Sequence, residues 1–179
     1  MSEECLRVAV STRALFHALN NKTEGYKMER KIEIEFPETG ITVTAVLNDT
    51  EEPVMSQRLW DLLEEPVKMV NCHTLSTGCF FDARPRPAYH PVEIGFQVAN
   101  LSKVKRLYCD MLPGMILFSG YECGIIYGEH ITEPLVASGT FVAQVVEEDI
   151  DKLYKAGHEV WNIQMYLHVP STTIMRRKG

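Results

Sequence analysis

The sequence predicts a mainly β fold, a closed barrel carrying two or three short helices, and three observations support that reading. Short runs of strand-forming residues recur along most of the chain, the helical stretches between them are few and brief, and turn residues separate them at close intervals. With 179 residues, 45% of them hydrophobic and 23% charged, the chain can fill one core but is too short for two ordinary domains. Residues 28–170 are expected to form the barrel and residues 1–27 an N-terminal appendage of one short strand and one helix. Residues 171–179 read as a basic tail, frayed at Arg176-Arg177-Lys178.

Within the appendage, Leu6–Val10 alternates like a strand, and Ser11-Thr12 offers an N-cap to a helix bearing Ala14, Leu15, Ala18 and Leu19. From Lys31 the pattern becomes strictly period-two. Ile32, Ile34 and Phe36 alternate with Lys31, Glu33 and Glu35; Pro37-Glu38-Thr39-Gly40 supplies a turn; Ile41, Val43, Ala45 and Leu47 follow. Two alternating runs joined by such a turn make a hairpin. Asn48-Asp49-Thr50 and Glu51-Glu52-Pro53 then open a helix whose apolar face holds Val54, Leu59, Leu62 and Leu63 and which ends before Pro66. Strands are expected at Val67–Val70 and Thr77–Phe81, separated by Asn71-Cys72-His73-Thr74.

The segment Asp82 to Met111, interrupted by Pro85, Pro87 and Pro91, is irregular, with room for a helix from Ser102 to Cys109. Met115–Phe118 and Gly124–Tyr127 form a second hairpin around Ser119-Gly120-Tyr121-Glu122, and Glu129 and His130 follow directly after it. Side chains at the ends of rigid strands are held more tightly than those on long loops, so chemistry is expected there. Thr140–Val146 reads as a strand. Glu147-Glu148-Asp149 reads as the acidic opening of a helix over Ile150–Ala156, ended by Gly157, and Glu159–His168 reads as a last strand.

A formal charge of −6 excludes a protein built mainly to neutralise phosphates, so no nucleic-acid partner is expected. No run approaches the ~18 apolar residues of a membrane span, and Met1 to Ala18 lacks the layout of a secretion signal; no membrane partner and a cytoplasmic location are the expectation. The five cysteines, Cys5, Cys72, Cys79, Cys109 and Cys123, are odd in number and form no Cys-x-x-Cys pair. Reduced, mostly buried thiols are expected rather than disulfides or zinc ligands. No two histidines share the spacing of a metal site, so no metal is expected.

The segments KIEIEFPETGITVTAVLNDTEEPVMSQRLWDLL, LSTGCFF, LPGMILF, GIIYG and FVAQVVEEDIDKLYKAGHEVW occur in that order between Met28 and Leu167. Together they resemble a small cyclophilin-like domain family of bacteria and archaea. The resemblance implies a closed cyclophilin-like β-barrel with a pocket at one side. Neither the Phe-His-Arg strand nor the Gln-Gly-Gly-Asp segment of working prolyl isomerases is present, so that activity is not implied. Members of the cyclophilin-like group with known activity are Pictet–Spengler enzymes, among them cucumopine and mikimopine synthases. These join histidine to 2-oxoglutarate, and bacterial members join tryptophan to a keto acid or aldehyde. The resemblance therefore implies a cofactor-independent carbon–carbon bond-forming enzyme acting on an amino acid and a 2-oxo acid, expected here as a homo-oligomer.

Such a reaction needs its two partners held together and a carboxyl able to act as acid and then base. Glu122 and Glu129 are the candidates, the alternative being ordinary turn carboxylates in water. Tyr127 can donate to a carbonyl oxygen or fill the core, and His73, His90 and His130 can relay protons near neutral pH. Arg84 and Arg86 suit a substrate carboxylate, or are solvated surface groups. Arg58 and Trp60, both in the first helix, are further substrate-binding candidates; Trp60 can wall an aromatic substrate, although it lies on a helix face with Leu59 and Leu63 that points to the core. Two further readings stand beside the enzyme. One is a non-catalytic small-molecule-binding domain, with residues 1–27 joining it into oligomers. The other is a nucleotidase-related activity, because VSTRALF resembles the SSRALF opening of cytosolic 5′-nucleotidases, whose chemistry uses an acidic Asp-x-Asp nucleophile.

Overall fold

The alternation beginning at Lys31 forms the first hairpin. Lys31–Phe36 (β1) pairs antiparallel with Ile41–Leu47 (β2), and Ile32, Ile34, Phe36, Val43, Ala45 and Leu47 all turn inward. The computed structural model describes residues 29–74, 78–85, 104 and 106–179. Six more strands follow: Val67–His73 (β3), Phe80–Pro85 (β4), Met115–Phe118 (β5), Cys123–Ile126 (β6), Thr140–Val145 (β7) and Thr172–Lys178 (β8). Their order is β1-β2-β7-β5-β6-β4-β3-β8, and pairing of β8 with β1 closes the barrel, leaving no open sheet edge. Eight strands enclose just enough space for side chains to fill, and here they fill it.

Two helices add to that interior. Pro53–Leu62 (α1) starts with proline at its first turn, where no amide hydrogen is needed, and buries Met55 and Leu59. Ile150–Met165 (α2) buries Leu153, Ala156 and Val160, spaced as one face of a helix. Asp149 anchors its start, accepting from the Thr44 amide at 2.9 Å and from Lys152 at 2.7 Å. Asp149-Ile150-Asp151 is the chain's one Asp-x-Asp, so its first aspartate is committed to tying α2 to β2.

The structure corrects several sequence-based expectations. Gly157 does not end α2, which runs on to Met165 through the stretch expected to be a strand. The glycine is needed because a Cβ there would enter the Tyr127 ring. The supposed frayed tail is β8: Arg176 pairs with Glu33 at 2.7 Å and with Glu35, and Arg177 donates twice to the Trp60 carbonyl. Asn71, Cys72 and His73 extend β3, and Asp82–Pro85 belongs to β4 instead of an irregular segment. Around the expected Ser102–Cys109 helix, the described residues hold only a short 3-10 turn, Tyr108–Asp110. Among the described residues the thiols are not mostly buried either: Cys72 and Cys109 are exposed, Cys79 is half-buried and only Cys123 is fully enclosed, Cys5 lying outside them. The appendage of residues 1–27 lies outside the described residues. No helix among the described residues is long and apolar enough to cross a membrane.

Candidate active site

Strand geometry sorts the candidate residues onto two faces. In β4, Phe81 and Ala83 point into the barrel, so Phe80, Asp82 and Arg84 point outward. Register places Cys72 on β3, Asp82 on β4, Gly124 on β6 and Leu117 on β5 in one row across the outer surface. Beside that row is a second apolar cluster of Phe80, Met111, Met115, Leu117, Ile126, Ile131 and Phe141, with Tyr108 stacked on Phe80 at 5.2 Å between ring centroids. Gly124 has no side chain to lift its neighbours away. Leu117 and the Asp82 carboxyl both close over it, at 3.3 and 3.5 Å from where a Cβ would stand.

The carboxyl of Asp82 is therefore largely dry, with its side chain 20% exposed. Burial, reinforced by the Glu122 charge and only partly offset by Arg84, pushes it up to about 6. Among the described residues no donor lies within hydrogen-bond distance of it. The nearest cation, Arg84 Nη2, is 4.0 Å away, and that guanidinium is engaged elsewhere, its Nε donating to Glu122 Oε2 at 2.7 Å. The turn bearing Glu122 is itself knitted together: the Tyr121 and Glu122 amides donate to Ser119 Oγ, and the Tyr121 hydroxyl donates to the Pro85 carbonyl at 3.4 Å. Beneath the row, the enclosed Cys123 thiol is pushed up to about 12, first by burial and then by the Asp82 and Glu122 charges.

A second polar group lies inside the barrel wall. His73 Nδ1 donates to the Thr74 carbonyl at 2.8 Å, which leaves Nε2 to accept the Tyr127 hydroxyl, also at 2.8 Å. Trp161 and His158 of α2 cover the pair edge-on, 4.7 Å from His73 and 5.6 Å from Tyr127 between ring centroids. Burial lowers the proton affinity of His73, opposed in part by the bond to Thr74, and burial likewise raises that of the Tyr127 phenol. Gln164 ties this end of α2 to β3, accepting from the His73 amide and donating to the Asn71 carbonyl.

Of the residues singled out in the sequence, the structure brings Glu122 and Arg84 together beside Asp82. Tyr127 and His73 are joined to each other, on the opposite face of the sheet. Glu129 and His130 are exposed and follow the far end of β6 from Glu122. Trp60 is packed against the core and lies between the guanidinium groups of Arg30 and Arg177, at 5.2 and 4.7 Å, so it is not a free wall for a substrate. Arg58 lines a shallow groove with Arg30, Asp49 and Gln57 that shares no residue with the Asp82 row. Arg86 and His90 fall outside the described residues. Sequence reasoning missed Asp82. The available signal was its place two residues after Phe80 in a strand-forming run, which sets an acid on the same face as a large aromatic ring.

No protein-family model and no curated protein matches the chain. Among solved structures, it is similar to McbB, determined in complex with tryptophan, with a TM-score of 0.70 and 29% sequence identity over 83% of this chain. The barrel is cyclophilin-like. The match covers 45% of McbB, so the chain spans less than half the length of that neighbour.

Proposed function

We propose that this cyclophilin-like domain catalyses a cofactor-independent Pictet–Spengler-type condensation on its outer face. An aromatic amino acid, histidine or tryptophan, would be joined to a 2-oxo acid such as 2-oxoglutarate. The observation that carries the reading is Asp82, a largely dry carboxyl with no hydrogen-bond donor among the described residues and a proton affinity pushed up to about 6. The likeness to McbB, solved with tryptophan bound, supports an aromatic amino acid as one partner.

In the reaction the amine adds to the carbonyl and the adduct loses water to give an iminium. A ring carbon then attacks the iminium carbon to form the new bond, and that ring carbon gives up its proton. Protonated Asp82 would supply the proton with which the hydroxyl departs as water, and the resulting carboxylate would take the ring proton, which restores the acid. Arg84, its side chain 47% exposed, is the cation placed to meet a substrate carboxylate at the edge of the row. Burial on the row would keep the partners close and exclude water.

The test is to incubate the protein with histidine or tryptophan plus 2-oxoglutarate, other 2-oxo acids or aldehydes. Mass spectrometry should then reveal an adduct lighter than the summed reactants by one water. Absence of product with every pair, alongside saturable binding of either reactant, would favour the non-catalytic binding domain.

A further inference from the structure

We infer that Glu122 is a positioning residue: by holding Arg84 through Nε it keeps that guanidinium from closing on Asp82, so that Asp82 stays a proton donor and not half of an ion pair. The inference rests on the reading of Asp82 as acid and base, and it deepens that reading by separating the two carboxylates of the site. Three geometric facts carry it. Arg84 is bonded to Glu122 at 2.7 Å yet stands 4.0 Å from Asp82, although both carboxylates are within its reach. Glu122 is fixed by a turn whose amides are bonded to Ser119 Oγ and whose tyrosine reaches back to Pro85, the last residue of Arg84's own strand. Asp82 has no alternative donor among the described residues, so whichever group controls Arg84 controls the acid.

Among the described residues the charged and titratable groups around Asp82 are few. Arg84 comes from β4, Glu122 and Cys123 from the turn and strand of β6, and Cys72 from the paired position on β3; β5 presents only Leu117. Replacing Glu122 by glutamine removes a like charge and leaves Arg84 only a neutral amide acceptor in place of a charge-assisted one, which frees it to close the gap. Both changes favour the Asp82 carboxylate.

The experiment reads Asp82 directly. Carbon-13 NMR titration of aspartate carboxyls in the intact chain, with the Asp82 signal assigned by its loss in D82N, should show wild-type Asp82 titrating near pH 6. In E122Q the midpoint should fall by about one pH unit, a tenfold weaker hold on the proton. E122D, which keeps the charge, should titrate close to wild type, and R84Q should titrate higher. An Asp82 midpoint that is unchanged or raised in E122Q, or lowered in R84Q, overturns the inference. Because the titration needs no substrate, it stands or falls separately from the condensation assay. Where turnover is measurable, the alkaline limb of kcat/KM, which reports loss of the Asp82 proton, should move down in E122Q along with the NMR midpoint.

Discussion

Holding Asp82 in a dry setting costs the fold stability, and the size of that cost follows from its proton affinity. The carboxyl changes from its ordinary 3.8 to about 6 on folding. At ~1.36 kcal/mol per pH unit this amounts to about 3 kcal/mol of destabilisation once both folded and unfolded chains are ionised. The sign is set by proton uptake. The folded chain binds the Asp82 proton more tightly, so the stability it confers is fully present below pH 3.8 and is lost as pH rises to about 6. The isosteric D82N variant is never ionised and escapes this loss. It should match wild type at the acid end of the range and exceed it by about 3 kcal/mol above pH 7, which corresponds to roughly 6–12 °C in Tm for a domain of this size. Urea unfolding of both proteins at several pH values measures the difference. A D82N protein no more stable than wild type at pH 8, or an advantage that grows toward acid, would refute the argument.

Two further expectations concern how α2 is seated. Gly157→Ala drives a methyl into the Tyr127 ring and should cost about 1–3 kcal/mol in thermal or urea unfolding, as overpacking does, with a loss of near-ultraviolet aromatic dichroism. Tyr127→Phe strands the Nε2 of His73 without its donor and should cost about 1–3 kcal/mol at pH 8. In the wild type, His73 has a lowered folded proton affinity, so its contribution is present above the unfolded value near 6.5 and is lost as pH falls through the folded one. Unfolding curves that show no loss of stability from this pair below pH 6.5 would contradict the buried, neutral imidazole.

Much of the barrel was legible because its strands obey simple periodicities. The β1–β2 hairpin alternates cleanly, α1 opens on acids and proline, and β5 and β6 are short apolar runs about a tight turn. The C-terminal third was misread for physical reasons. Gly157 looks like a helix terminator when read locally, yet Leu153, Ala156 and Val160 continue the helical stripe on either side of it, and the glycine answers a close approach from β6. In β8, Arg176 and Arg177 suggest a solvated tail, but their charges are met by Glu33 and Glu35 on the paired strand and by the Trp60 carbonyl, partners remote in sequence. The site was half legible. Glu122 stood out as a titratable group at a hairpin end and Arg84 as a guanidinium suited to a substrate carboxylate, but the dryness of Asp82 arises where β4 pairs with β6 and sets its carboxyl beside Gly124 and Leu117, a pairing between strands remote in sequence.

The most direct test of the account compares turnover in wild type and D82N with the pair of substrates that gives the dehydrated adduct. The account predicts product from the wild type and a fall of roughly 10²–10⁴-fold in D82N, measured on protein shown by unfolding to be at least as stable as the parent. Product at the wild-type rate from D82N would contradict it, because the Asp82 carboxyl would then have no part in moving the protons.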